Sequence, residues 1–221
     1  MSDWIWALII GFVLDLLLGD PSWLYHPVCI IGKYIGWMEK KLRRRGGNLR
    51  KSAVFLTAST VLLTMAVVAL ILMLCGLLGR IPLLIAMALL DWMGIAITSM
   101  AKEARGVEKA LGHGVAAGRT QVARIVGRDT QELSEEEIIK ATVETVSENT
   151  TDGVISPLLY AAIGGPILLW GFKAASTLDS MVGYLDEKYR DIGWSSARLD
   201  DVLNYIPARL TALLMVIASC L

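Results

Sequence analysis

The chain has 221 residues, of which 55% are hydrophobic, and 21 Lys and Arg balance 21 Asp and Glu. A mean hydropathy of +0.56 is too apolar for an ordinary soluble domain. Zero net charge gives no electrostatic case for nucleic acid as a partner, and three scattered cysteines, Cys29, Cys75 and Cys220, fit neither a disulfide framework nor a metal spacing.

A membrane-spanning helix needs about 20 mostly apolar residues. Residues 4–18 are apolar but short and carry Asp15, which makes them a marginal span or a protein-buried helix. They follow Asp3 rather than a basic leader, and no small-residue cleavage site comes after them, so they read as a retained membrane segment. Residues 19–51 form a polar loop rich in Lys and Arg, from Lys33 to Lys51, which positive-inside reasoning places in the cytoplasm. Residues 52–79 satisfy the spanning criterion outright, and residues 82–101 satisfy it with one carboxylate, Asp91.

Residues 102–150 read as a helical cytoplasmic insert. It opens with an amphipathic continuation of the third membrane helix and is broken at Gly112, Gly114 and Gly118. Ser134 followed by Glu137 is a capping-box pattern that starts a helix, with Gly153 as its expected stop. Residues 154–172 are apolar but interrupted by Pro157, Gly164, Gly165 and Pro166, so a plain span competes with a re-entrant helix. Residues 206–221 begin a further apolar run that the chain leaves mid-segment. The expected fold is all-α: a polytopic α-helical membrane protein with a helical insert.

Between these segments lies an unusual density of ionisable groups. Such groups are costly near lipid and mark functional sites. Glu144 and Glu148 share a helix face, which Asn149 and Asp152 extend. Carboxylates and an amide oxygen on one edge suit Mg²⁺. Lys173, Thr177, Asp179, Ser180 and Tyr184 form a second cluster, in which Asp179 can complete a metal site or accept a proton and Lys173 can neutralise phosphate. In a third, Arg190 and Arg198 offer guanidinium forks to phosphate or carboxylate. Asp200 or Asp201 stands about one turn from Asn204 there. A fourth contains Asp20, His26 and Lys33. Arg128 and Asp129 in the insert are candidates for nucleotide or substrate contact. For each group a plain structural role competes: a solvated helix face, interfacial snorkelling of Lys173, or simple ion pairing of Arg198. No G-x-x-x-x-G-K-[ST] loop is present, so a nucleotide site would be built from scattered carboxylates, basic groups and metal.

The wording of these clusters resembles a known family. GDPSWLYHPVCIIGKYI, ENTTDGVISPL, STLDSMVGY and YRDIGWSSARLDDVLNYIPARLTAL occur in that order and, with IVGRDTQELSEEE, resemble the membrane adenosylcobinamide-phosphate synthases of cobalamin biosynthesis. The resemblance covers nearly the whole chain and implies further membrane segments beyond it. It implies a multi-pass protein of the bacterial or archaeal inner membrane with a cytoplasmic active site. It implies ATP-dependent amide formation between adenosylcobyric acid and (R)-1-amino-2-propanol O-2-phosphate, or a related amino alcohol. Mg²⁺ and ATP are the expected cofactor and co-substrate. Membrane lipid and other corrinoid-pathway enzymes are the expected surroundings.

The expected catalytic residues are Glu148, Asp152, Asp179 and Asp201. The expected metal ligands are Glu144, Glu148, Asp152, Asp179 and Asp200. Substrate and phosphate would be held by His26, Lys33, Arg128, Asn149, Lys173, Tyr184, Arg190 and Arg198. A transporter, for which Asp15, Asp91 and the broken segment 154–172 would line a path, and a non-catalytic membrane sensor remain the alternatives.

Overall fold

The computed structural model describes residues 3–21, 25–127 and 129–220. Among them there are helices and connecting turns and no strand. The helices are α1 (Asp3–Leu18), α2 (Pro27–Arg45), α3 (Leu49–Leu77), α4 (Arg80–Gly94), α5 (Ile97–Leu111), α6 (Val115–Val122), α7 (Glu135–Thr150), α8 (Ser156–Val182) and α9 (Trp194–Ser219). Four helical stretches are long and apolar enough to cross a membrane: Leu49–Leu77, Arg80–Leu111, Glu135–Val182 and Trp194–Ser219. The protein is therefore an all-α protein of membrane type.

Helix α8 is the centre of the bundle and touches α1, α2, α3, α4 and α9. Lipid tails give little hydrophobic drive to helix association, so close approach of backbones through small residues matters more. Ala161, Gly165, Gly171, Ala174 and Ala175 are all buried on α8, beside Leu169, Trp170, Phe172 and Leu178. The helix bends where Gly165 takes φ +64°, a conformation that favours glycine, and Pro166 withholds its backbone donor. The ambiguous segment 154–172 thus sits inside one bent helix that continues to Val182.

Three expectations change. The basic region after α1 is not a loop: it folds into α2, whose Ile31, Ile35, Met38 and Leu42 are buried at helical spacing while its cations stay on the other side. Asn48 then caps α3 by accepting from Arg50 and Lys51. The segment 82–101 is not one helix, because the backbone leaves helical geometry at Ile95 and Ala96. Gly153 does not stop α7. The chain instead passes through one wide π turn, Thr151–Ile155, straight into α8. The Ala96 amide donates to the Gly153 carbonyl at 3.0 Å, so the break between α4 and α5 satisfies the widened turn.

The capping box at the start of α7 is formed in both directions, Ser134 accepting from the Glu137 amide and Glu137 from the Ser134 amide. Helices α5, α6 and α7 enclose a small core of their own, Val107, Val122, Ile138 and Ala141.

Helix α1 packs on α4 across Gly11. A Cβ at Gly11 would stand 2.9 Å from the Ala88 carbonyl oxygen and 2.9 Å from the Trp92 nitrogen, both backbone atoms that cannot swing aside. Gly11→Ala is expected to destabilise the protein by about 1–3 kcal/mol, read as a lower unfolding temperature in detergent. An unchanged unfolding temperature would mean the two helices do not meet there.

Candidate functional site

The π turn and the first half of α9 bring two sequence motifs face to face. The Asn204 amide nitrogen donates to Asp152 Oδ1 at 2.9 Å and to Asp200 Oδ2 at 2.9 Å. Its carbonyl oxygen accepts from Ser156 Oγ at 2.7 Å, and Tyr160 secures the same stretch by donating to the Leu203 carbonyl at 2.8 Å. One amide therefore holds two carboxylates that would otherwise repel, and its own acceptor is satisfied as well. Asp200 Oδ1 is buried without a partner, an open acceptor at the centre of the arrangement.

Further charges converge on this pair. Asp152 lies within electrostatic reach of Lys173, Glu148 and Asp179, and Asp200 within reach of Asp179 and Asp201. Lys173 also feels Asp20, whose carboxylate accepts from Ser99 Oγ at 2.5 Å. A cleft of about 290 Å³ opens beside the cluster, lined by Asn149, Asp152, Lys173, Thr177 and Ser180. His26 reaches the same neighbourhood from the start of α2, where its Nδ1 caps the helix by accepting from Val28 at 3.2 Å. Its ring lies 6.3 Å from that of Trp170, which lines an apolar groove between α2 and α3.

A second pocket, of about 320 Å³, adjoins the cluster at the junction of α8 and α9. Arg50, Tyr184, Arg190, Arg198 and Asp201 line it. Tyr184 donates to the Ser180 carbonyl at 2.8 Å, so the pocket begins one helical turn beyond the cleft.

The structure therefore brings Glu148, Asn149, Asp152, Lys173, Asp179, Asp200 and Asp201 into one region, with His26 at its edge, and places Tyr184, Arg190 and Arg198 next to it. Lys33 is not part of it: its ammonium is exposed and lies over the Tyr25 ring at 5.0 Å. Glu144 lies a turn before Glu148 and stands 3.9 Å from Lys140. Arg128 lies outside the described residues.

The five expected metal ligands do not form one coordination sphere. Among the described residues, no three His, Cys, Asp or Glu side chains stand close enough to hold an ion. What remains fits Mg²⁺ in another way, since that ion is commonly held by one or two carboxylates plus the phosphates of its substrate. Asp152 and Asp200 share one donor, and Asp200 keeps a free oxygen.

Two acids in the apolar segments separate in role. Asp15 Oδ2 accepts from the Ile97 and Thr98 amides at 3.0 and 3.2 Å, capping α5, while its Oδ1 is buried without a partner. Both Asp91 oxygens are buried without a hydrogen-bond partner.

Neither Ser156, although it stands within ENTTDGVISPL, nor Arg50 is among the candidate residues that the sequence singles out. Ser156 is a small residue whose pairing depends on α9. Arg50 belongs to no motif, and only the fold carries the start of α3 to the α8–α9 junction.

Residues 8–221 match the family model described as CobD/Cbib protein. The chain belongs to the CobD/Cbib protein family. It is 49% identical over 214 residues to a protein of Pelobacter propionicus, covering 96% of this chain and 66% of that one. It is 49% identical over 212 residues to one of Listeria monocytogenes, covering 95% and 67%. It is 45% identical over 214 residues to one of Clostridium perfringens, covering 96% and 68%. Each of these relatives is named cobalamin biosynthesis protein CobD. The chain spans about two thirds of the length of these curated relatives. No solved structure matches it. Each of the four motifs lends residues to the two pockets of this CobD/Cbib protein, and Ala96, Met100, Lys173 and Arg50 join them from outside the motifs.

His26 offers a direct readout of the cleft. Burial pushes its imidazole below the ordinary value; Asp20 opposes this and Lys173 adds to it. In the unfolded chain the group takes up a proton near pH 6.5, whereas the folded chain resists until lower pH. Stability should therefore rise as pH rises through that window and be complete above it. We expect His26→Asn, which retains a capping acceptor, to flatten part of the rise in unfolding temperature between about pH 5.5 and 7.5. Identical slopes for the two proteins would mean His26 is not held neutral.

Proposed function

We propose that this chain acts in cobalamin biosynthesis as an ATP-dependent ligase. It would join the free propionate carboxyl of adenosylcobyric acid to the amine of (R)-1-amino-2-propanol O-2-phosphate, giving adenosylcobinamide phosphate. The observation that carries this reading is the Asp152–Asn204–Asp200 arrangement, with Lys173 within electrostatic reach of Asp152 and an arginine-lined pocket next door. The names of the relatives support the pathway. The reaction rests on the motif resemblance and on the fit of these groups to it.

Two transfers suffice. A carboxylate oxygen of the corrinoid attacks the γ-phosphorus of ATP, the bond to the bridging oxygen breaks, and ADP leaves. The amine nitrogen then attacks the acyl carbon of the resulting acyl phosphate, and inorganic phosphate departs with the bonding pair. Phosphoryl transfer depends chiefly on positioning and on neutralising charge. Lys173 supplies a cation within reach of Asp152, suited to a phosphoryl oxygen. Asp201, exposed at the rim of the second pocket, is placed to take the proton that the amine must lose, a step in which a positioned base contributes about 10²–10⁴-fold. Asp179, between the two pockets, sets the negative potential that favours an ammonium nucleophile over an anion. Mg²⁺, when bound, would be held by Asp152 and Asp200 and would offset the charge of the nucleotide phosphates.

ATP as co-substrate places the cluster on the cytoplasmic face of a multi-pass protein of the inner membrane. Both pockets then share that face with the basic end of α2. A transporter would use Asp91, but Asp15, the other buried acid of the apolar segments, is engaged in capping α5.

Asp152→Asn and Asp179→Asn are each expected to lower product formation by about 100-fold or more, and Asp201→Asn by about 100-fold. The assay is mass spectrometry of the amide product together with ADP release, on detergent-purified protein given Mg-ATP, adenosylcobyric acid and aminopropanol phosphate. Wild-type rates in all three variants would remove the acidic cluster from the reaction.

A further inference from the structure

An apolar groove of about 380 Å³ runs between α2 and α3, where Ile30 and Tyr34 of α2 share its lining with Thr60, Val67 and Ile71 of α3. Its wall asks for no polar ligand. The hydroxyls of Thr60 and Thr64 donate to the carbonyls of Leu56 and Thr60 in their own helix, each at 2.8 Å. Its inner side is fixed, because Trp170 is buried there and donates to the Leu90 carbonyl at 3.0 Å. From Thr60 to Ile71 the groove is about 16 Å long at the helical rise per residue. That is about half of the ~30 Å hydrocarbon core of a bilayer, the depth of one leaflet. Volume over length gives a mean cross-section of about 24 Å². A helix 10 Å across needs roughly 80 Å², so the groove is too narrow for another helix and suits one extended hydrocarbon chain.

Helices α2 and α3 form a hairpin joined through Gly46, Gly47 and Asn48, so Tyr34 and Thr60 mark the end of the groove nearer the turn. Past that end the same face of α2 changes character. Ile30, Tyr34, Trp37 and Lys41 follow one another at helical spacing. The Tyr34 and Trp37 rings lie 5.9 Å apart, and the Lys41 ammonium stands 4.8 Å from the Trp37 ring. Trp37 and Lys41 are exposed. The one acid of α2, Glu39, pairs with Arg43, and Lys40, Arg44 and Arg45 add exposed cations at the same end of the helix. Aromatic rings of this kind settle at the boundary between tails and headgroups, and cations beside a membrane helix attract anionic lipid. A slot one leaflet long, then an aromatic ring, then cations, repeats the order of a phospholipid: tail, interface, headgroup.

We infer that this groove seats one acyl chain of an anionic phospholipid, with its phosphate at Lys41 and its tail running along α3 toward Ile71. Lipid binding here goes beyond the ligase reading and does not rest on it. The tail packs against Trp170, so the bound lipid would form part of the bundle rather than of the fluid bilayer around it.

The test is lipid retention. Protein purified in detergent and stripped of lipid is titrated with dioleoyl phosphatidylglycerol or dioleoyl phosphatidylcholine and weighed intact by native mass spectrometry. Wild type should retain one phosphatidylglycerol, preferred over phosphatidylcholine by about fivefold. Ile30→Trp and Val67→Trp fill the groove from opposite helices at exposed positions, and each should lower retention of both lipids by about tenfold. Their unfolding temperatures without lipid should match wild type, which separates a filled groove from a damaged fold. Lys41→Gln should abolish the preference for phosphatidylglycerol while leaving phosphatidylcholine unchanged, and Lys41→Arg should restore it. Dihexanoyl phosphatidylglycerol, whose tails are too short to fill the groove, should bind at least tenfold more weakly than the dioleoyl lipid. Equal retention by wild type and both tryptophan variants, or no headgroup preference in wild type, would overturn the inference. A dimer that Val67→Trp dissociates would also overturn it and give the groove to a second copy of the chain.

Discussion

One amide group holds the two halves of the site together. Asn204 spends both hydrogens on carboxylates from different helices and receives one from Ser156. Two acids this close are costly unless something between them donates to both. The consequence spreads outward. Asp152 can reach Asn204 because the chain widens into a π turn at Thr151–Ile155 rather than ending α7 at Gly153. That turn holds its place because the Ala96 amide, freed by the break between α4 and α5, donates to Gly153. A defect in one helix thereby stabilises a defect in the next, and the product is a polar centre inside an apolar bundle.

The bundle is arranged around that centre. Helix α8 carries Lys173, Thr177 and Ser180 along the cleft and packs against five other helices. Apolar side chains of α3 face outward over most of its length, as expected for a helix in contact with lipid. The second pocket forms where α8 ends and α3 and α9 begin. The division between an acidic cleft and a cationic pocket gives the site two electrostatic compartments within one or two helical turns of each other. A reaction that brings a carboxylate, a polyphosphate and an ammonium together needs such a separation.

The sequence disclosed part of this. The apolar run 52–79 and the capping box at Ser134 were legible because each rests on local chemistry, whereas the run 82–101 gave no sign of its break at Ile95 and Ala96. The site motifs were legible by resemblance, and Asp200 with Asn204 by spacing along one helix. The partnership of Asn204 with Asp152 was not, since it joins residues 52 positions apart through the fold. Helix α2 was hidden by its cations, which signal a loop unless the spacing of Ile31, Ile35, Met38 and Leu42 is weighed against them. Gly153 misled because a glycine marks a helix end only when nothing else satisfies the backbone there. Arg50 carried no local signal at all. The metal set expected from the acidic residues was too generous: acids on one helix edge do not converge merely by sharing it, and Glu144 remains a turn away.

The central claim is that the acidic cleft promotes phosphorylation of a carboxylate before an amine displaces it. The most direct measurement places ¹⁸O in the free propionate carboxyl of adenosylcobyric acid and analyses the inorganic phosphate released as the amide forms. The account predicts one ¹⁸O in each phosphate, carried there through the acyl phosphate. Amide formation with unlabelled phosphate would contradict that route, and label transfer undiminished in Asp152→Asn would contradict the place assigned to it.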